Sequence, residues 1–327
     1  MARLRGLPAG LDRYAGRERS VHRGTRSGLR GGARIATLLI DASSLAYRAY
    51  HAMPEVRAPD GTLVNAVVGF MNFIERLLHD RKPGLLYVAF EFGSDWRPQF
   101  RVTLLPEYKS ARVATGDEPP DEVEPQLLII AELLKALGIS IANATECEAE
   151  DVIATLTTKI EGPIEIVSGD RDLYTLVRDP RIRVLFTVRG VTELAFVDQA
   201  WIHTKYGIPG DRYLDYAILR GDPSDGLPGV RGIGEKTASQ LLAKYGSLDA
   251  ILAAKDLSPT IRAKLNASKD YVVAARTVVG PVLDCAIEVT GDGSIPKAPP
   301  EPMHVAALAQ RYGVEASVRR VVDALKA

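Results

Sequence analysis

Carboxylates recur in this chain at the places where a metal-dependent site could form. The apolar runs IATLLID, LLYVAFE and IEIVSGD each read as a buried strand ending on an acid, at Asp41, Glu91 and Asp170. Asp172 follows two residues later. Glu148, Glu150 and Asp151 open the helical pattern AEDVIATLTTKI, and Asp222 and Asp225 sit in a Gly/Pro-rich turn. A helix macrodipole favours one or two acids in a first turn, but the four at residues 146–151 exceed what capping asks for. Any one of these groups alone reads more often as a cap or a solvated carboxylate. Their recurrence is what points to chemistry, because acids so close together repel unless cations lie between them. Oxygen donors without His or Cys select hard cations, Mg²⁺ or Mn²⁺. Two such ions roughly 4 Å apart can activate water and stabilise the leaving oxygen in phosphodiester cleavage.

The elements that must position these acids follow from periodicity. The strands alternate with helical patterns at SSLAYRAYHA, at 64–80 and from about Asp121 to Leu137, and a short strand ISIA comes next. That alternation predicts an α/β fold with a mostly parallel sheet flanked by helices, in which acids at strand C-termini face one crevice. Residues 182–187 and 192–197 read as a hairpin. From Asp198 to about Thr277 the chain is mostly helical, and the last forty residues are Pro-spaced and then helical. The expected organisation is an Arg-rich, disordered extension over 1–34, an α/β core over 35–197, a helical region over 198–290 and a C-terminal segment over 291–327.

Two further stretches suit a phosphate-rich partner. In GDPSDGLPGVRGIGEKTA (221–238) the glycines Gly229, Gly232 and Gly234 precede a helical pattern. A tight turn opening a helix aims backbone N–H groups at a phosphate, with Arg231, Lys236 and Thr237 alongside. A Walker A loop needs Gly directly before Lys-Ser/Thr, and Glu235 intervenes here. Within 92–120, Arg97, Arg101, Lys109 and Arg112 are interleaved with Trp96, Phe100 and Tyr108. That mixture fits a nucleic-acid backbone with unstacked bases, or a solvated surface loop.

Composition bounds the rest. The 327 residues are 46% hydrophobic and 25% charged, enough for a sizeable core, and no apolar run reaches the ~20 residues a membrane span requires. The zero net charge hides an uneven spread. Residues 1–34 hold nine Arg against Asp12 and Glu18, leaving 32 basic and 39 acidic residues elsewhere, a net of −7. Such an extension suits a presequence, a basic DNA-affinity arm or a dispensable tail. Cys147 and Cys285 make neither a zinc spacing nor a disulfide framework, and read as two small buried thiols in a reducing cytosol.

The motifs LLIDASSLAYRAYHA, LPEYKSAR, ECEAEDVIATL, SGDRDLYTL and GDPSDGLPGVRGIGEKTA together resemble the bacterial 5′–3′ exonuclease and flap endonuclease family. This family includes the 5′-nuclease domain of DNA polymerase I, and the likeness is greatest to stand-alone versions from high-GC bacteria. It covers about Ile35 to Leu283. The resemblance implies a Mg²⁺-dependent, PIN-like nuclease with a helix–hairpin–helix, acting on DNA with a 5′ flap, gap or nick, including primer remnants of RNA. By match of motif, Asp41, Glu148, Glu150, Asp151 and Asp170 are ligands of a first metal, and Asp172, Asp222 and Asp225 of a second, with Asp170 between. Lys109 and Arg112 match the basic pair of a helical arch at the scissile phosphate. The Gly229–Gly234 hairpin matches a duplex grip, with a K⁺ ion on its carbonyls as a further implication. A monomer in the bacterial cytoplasm, with no membrane partner, completes the expectation.

The chain departs from the family pattern in having Glu150-Asp151 for an Asp-Asp pair, and Glu91 where the second strand has Asp, with Asp95 as a rival ligand. A catalytically weak DNA-structure-binding protein and a PIN-like ribonuclease are the alternative readings. The latter has no use for the 221–238 hairpin.

Overall fold

The structure is a computed structural model that describes residues 36–91, 96–112 and 121–326. The expectations for the extension over 1–34, for Asp95 and for the Arg112 side chain fall outside the described residues.

Strand β1 (Thr37–Asp41) leads into α1 (Ala42–Ala52) and α2 (Asn65–Arg81). In α2 the apolar residues Val67, Phe70, Met71, Ile74, Leu77 and Leu78 recur at helical spacing and are buried, which gives the helix one core face. Next come β2 (Leu85–Ala89), α3 (Gln99–Leu104), α4 (Glu124–Leu137), β3 (Ser140–Asn143) and α5 (Ala149–Lys159). Strands β4 (Ile164–Ser168), β5 (Ile182–Arg189) and β6 (Glu193–Val197) complete the main sheet. The order is β6-β5-β4-β1-β2-β3, with the short antiparallel β7 (Glu288–Val289) added at the far edge beside β3. Strands β5, β4, β1, β2 and β3 run parallel, and β6 returns antiparallel to β5 as the expected hairpin.

This topology gathers the acids. Parallel strands present their C-terminal ends at one edge, so the chain after β1, β2 and β4 and the start of α5 after β3 lie along the same crevice. Asp41 is the last residue of β1. Glu91 and Asp170 each lie two residues beyond the end of their strand, and not on it as the apolar runs suggest.

Both faces of the sheet are covered, as the near-continuous apolar runs require. Leu38, Ile40, Val88 and Ile141 point to a core shared with α1, α2 and α4. That core is closed by α12 (Pro302–Tyr312) and α13 (Glu315–Leu325), through Tyr312, Val318, Val321 and Leu325. Leu39, Ala89 and Ile166 point to the other face, whose core runs without interruption into the helical region. There α6 (Gln199–Tyr206), α7 (Tyr213–Arg220), α8 (Glu235–Tyr245), α9 (Leu248–Ala253), α10 (Pro259–Ala267) and α11 (Lys269–Val279) follow one another. Tyr174, Trp201, Tyr206, Tyr213 and Tyr216 stack edge-on or tilted across this junction, joining the sheet to the helices.

Cys147 and Cys285 form a disulfide, which corrects the expectation of two separate buried thiols. The fold lays the segment after α11 along α5, where the Val282 N–H donates to Asp151 Oδ1 (2.8 Å) and the Cys285 N–H to Thr155 Oγ1 (3.1 Å). Nothing in a spacing of 138 residues announces that approach.

Candidate metal centre and nucleic-acid interface

The centre begins where β1 and β4 lie side by side. Asp41 is 6% exposed and caps α1, its Oδ1 accepting from the Ser44 N–H (3.0 Å). Its other oxygen accepts from the Ser168 hydroxyl (2.7 Å). Burial nevertheless pushes the Asp41 carboxyl up to about 7, the Ser168 and Ser44 hydrogen bonds opposing and the charges of Asp170 and Glu91 adding. Ser168 Oγ also accepts from the Asp170 N–H (2.9 Å), and Asp170 Oδ1 from the Asp172 N–H (2.9 Å), so the turn after β4 is fixed by its own polar groups. Ser44 Oγ accepts from the Gly169 N–H (2.8 Å) and Arg48 donates to the Gly169 carbonyl (3.3 Å). A Cβ on Gly169 would lie 2.0 Å from the Arg48 Nε, so any larger residue there would have to displace the Arg48 guanidinium from this turn. Reading the acids alone missed Ser44, Arg48 and Ser168, although all three stand inside the motifs that carry the acids.

Glu150, Asp170 and Asp172 each bring a carboxylate oxygen within 4.8 Å of the others. Burial pushes the Glu150 and Asp172 carboxyls well above the usual range; the Lys109 charge opposes this at both, while Glu148 and Asp170 add to it at Glu150 and Asp170 and Asp225 at Asp172. Asp222 and Asp225 are among the charges that act on Asp172. Asp222 caps a 3₁₀ turn, accepting from the Ser224 N–H (3.0 Å) and from Arg220 (3.0 Å). Hard, crowded oxygens whose charge is costly without a counter-ion are a donor set that fits divalent cations such as Mg²⁺. Glu91 instead accepts from the Ala149 N–H (3.3 Å) at the start of α5.

The other acids of α5 are differently placed. Glu148 accepts from Lys109 Nζ (2.6 Å), from the Tyr108 hydroxyl (2.7 Å) and from Arg101. Asp151 accepts two bonds from Arg101 (2.7 Å each) and one from the Glu148 N–H (3.1 Å). Arg101 also donates to the Val278 carbonyl (3.0 Å) near the end of α11. Burial alone would raise the Glu148 carboxyl, but the charges of Lys109 and Arg101 outweigh it and hold the group below its ordinary value.

Two expectations for DNA contact are therefore corrected. Arg101 is 0% exposed and Tyr108 2% exposed, and both are consumed by internal carboxylates, so in this structure neither can touch DNA. Lys109, 3% exposed, is likewise turned inward. The segment expected to be irregular contains α3 and a 3₁₀ turn at Ser110–Arg112. Arg97 braces its base by donating to the carbonyls of Pro106 (3.0 Å) and Tyr108 (2.7 Å).

The glycine turn lies between α7 and α8, as a helix–hairpin–helix requires. Gly232 has φ +81°, a conformation that L side chains rarely adopt, and Gly234 caps α8 with extended backbone. Arg231, Gly232, Gly234 and Lys236 are exposed and Thr237 half-buried, whereas Gly229 is buried. Lys264 donates to the Gly232 carbonyl (2.8 Å), adding a cation beside the turn that the motif did not include.

A parallel-sheet crevice lined by carboxylates, with a helix–hairpin–helix beside it, defines a metal-dependent class of α/β nucleases. Residues 36–207 match the family model of the 5′-3′ exonuclease N-terminal resolvase-like domain, and 208–300 that of the 5′-3′ exonuclease C-terminal SAM fold. The chain belongs to the 5′-3′ exonuclease and flap endonuclease family. It is 46% identical over 304 residues to a 5′-3′ exonuclease of Streptomyces coelicolor, covering 89% of this chain and all of that one. A 5′-3′ exonuclease of Mycobacterium tuberculosis is 42% identical, covering 89% and 98%. The thermostable DNA polymerase I of Thermus aquaticus is 39% identical over 237 residues, 71% of this chain and 27% of the polymerase. Among solved structures, T5 5′-exonuclease with bound divalent metal ions (zinc) aligns with TM-score 0.61 at 16% identity, covering 89% and 99%. Flap endonuclease-1 of Methanococcus jannaschii aligns with TM-score 0.58 at 16% identity, covering 89% and 93%. Among the described residues, no helix is long and apolar enough to cross a membrane.

Proposed function

We propose that this protein is a Mg²⁺-dependent 5′ nuclease that hydrolyses phosphodiester bonds at 5′ flaps, gaps and nicks in DNA, primer remnants included. The observation that carries this reading is the convergence of Glu150, Asp170 and Asp172 within 4.8 Å, on a crevice beside an exposed helix–hairpin–helix turn. Asp41, Glu150 and Asp170 would hold a first ion, with Glu91, Glu148 and Asp151 around it. Asp172, Asp222 and Asp225 would hold a second, Asp170 lying between. Two divalent ions bound there supply an activated water and charge stabilisation at the leaving oxygen.

The chain's own groups do the rest. Exposed N–H groups around Gly232–Gly234, with Arg231, Lys236 and Lys264, take successive phosphates of the duplex without reading bases. A K⁺ ion on the hairpin carbonyls would strengthen that grip. Lys109 and Arg112 stand on the arch segment to offset charge that grows on the reacting phosphate. The protein acts as a monomer in the bacterial cytoplasm, on substrates recognised by structure and not sequence.

Incubating the purified protein with a labelled 5′-flap duplex, with Mg²⁺ or with EDTA, tests the reading. Cleavage near the flap junction in Mg²⁺ and none in EDTA is expected. Binding of the flap without cleavage in Mg²⁺ would contradict it and leave a DNA-structure-binding protein.

A further inference from the structure

We propose that the Lys109 ammonium is a tethered cation that occupies the acidic cluster before a divalent ion does, and that metal loading moves it out toward the substrate. This rests on reading the cluster as the metal centre. The inward position of Lys109 is built by its surroundings. Its amine lies 2.6 Å from Glu148 Oε1, and both side chains are 3% exposed. Its backbone has φ +48°, an unfavourable conformation for a side chain of this size, held by a bond from its N–H to the Asp225 carbonyl (2.8 Å). The preceding residues are docked on the same turn. A Cβ at Gly226 would lie 1.9 Å from the Glu107 carbonyl oxygen, so the base of the arch presses against the 222–227 turn that carries Asp222 and Asp225. Leu227, Tyr108 and Val278 form a small apolar cluster beneath it.

The charges explain why the amine sits there. Glu148, Glu150, Asp151, Asp170 and Asp172 crowd the head of α5 and the turn after β4, and Arg101 is committed to Glu148 and Asp151. A metal-free cluster keeps an excess of buried negative charge, which a flexible four-carbon stem can offset with a point charge. A divalent ion arriving at Glu150, Asp170 and Asp172 takes over that task. It then repels the nearby ammonium, whose natural new partner is the phosphate of bound DNA. The same lysine thus serves the metal-free protein as a stabilising cation and the loaded one as a phosphate contact.

Calorimetric titration of the DNA-free protein with Mn²⁺ tests this. Lys109→Met should bind Mn²⁺ more tightly by about tenfold, the penalty lifted when a binding-competent state is only about a tenth populated. Its flap cleavage should nevertheless fall. Equal Mn²⁺ affinity in the two proteins would overturn the proposal, while flap cleavage by the unaltered protein would leave the nuclease reading standing. Absence of both Mn²⁺ binding and cleavage in the unaltered protein would overturn the nuclease reading, and this proposal with it. A second measurement needs no variant: amine acylation mapped by mass spectrometry. Lys109 should be protected in EDTA and become reactive in Mn²⁺, and unchanged protection would overturn the displacement.

Discussion

The acidic cluster has two halves that share residue types and burial but not charge behaviour. Glu148 and Asp151 meet Arg101, Lys109 and Tyr108, cations and a donor supplied by the chain itself. Asp41 and Asp172 face mainly serine hydroxyls and other carboxylates, and at Glu150 burial with the charges of Glu148 and Asp170 outweighs the nearby Lys109 ammonium. In the first half Glu148 is held below its ordinary range. In the second, burial and like charge push Asp41 to about 7 and Glu150 and Asp172 well above the usual values. The difference separates acids that build the site from acids that wait for a ligand. A buried carboxylate bound by its own guanidinium has its charge satisfied at folding; one only partly offset must bind a proton or recruit a further cation.

The largest effect should come from the half whose negative charge the chain's own cations do not balance. Asp170→Asn is expected to lower flap cleavage in saturating Mg²⁺ by about three orders of magnitude, the scale on which one electrostatic stabiliser of a transition state is felt. Flap binding in Ca²⁺ should be retained. Near-normal cleavage would remove Asp170 from the metal centre.

The internally paired half should answer in stability. Arg101→Met leaves Glu148 and Asp151 buried without their principal partner, and urea denaturation should show a loss of about 3–5 kcal/mol. A loss below about 1 kcal/mol, the range of an exposed pair, would mean that the guanidinium does not hold these acids in solution.

The hairpin offers a smaller effect in a different quantity. Gly232→Val forces a β-branched residue toward φ +81° beside Lys264, and duplex affinity should fall by about tenfold, roughly 1.4 kcal/mol. Cleavage at saturating DNA should change less. Equal affinity would make the turn a structural element only.

The smallest effect is a pH slope. The Asp41 carboxyl stands at about 7 in the folded protein against 3.8 ordinarily. Between those values the folded state holds a proton that the unfolded chain has released, so this group's contribution to metal-free stability declines as pH rises through the window. In EDTA the melting temperature should fall more steeply from pH 5 to pH 8 in the unaltered protein than in Asp41→Asn. Parallel slopes would place the Asp41 carboxyl in its ordinary range.

How much of this was legible in the sequence depends on whether a feature is local. The strands ending near Asp41, Glu91 and Asp170 are readable because apolar runs and terminal acids are contiguous, and a parallel sheet then gathers them. The glycine turn before α8 is readable because positive φ selects glycine. Composition reveals a charge but not its direction. Arg101 and Tyr108 therefore pass for a DNA-facing set until α5 is seen to lie over them. The disulfide, the carbonyls of Val278 and Gly280 that receive Arg101, and the closing of a core by α12 and α13 all join distant segments. No periodicity within either partner announces such meetings.

The central claim is that the carboxylates whose charge the chain's own cations leave unbalanced are the cation site. Its most direct test is the proton count on metal binding, from calorimetry of Mn²⁺ titration near pH 7 in buffers of different ionisation enthalpy. Carboxyls raised by burial and mutual repulsion must release their protons to the buffer when the ion binds, so a net release on the order of one proton per protein is predicted, with Asp41→Asn releasing fewer. Mn²⁺ binding with no proton released, the same in every buffer and in Asp41→Asn, would contradict the account.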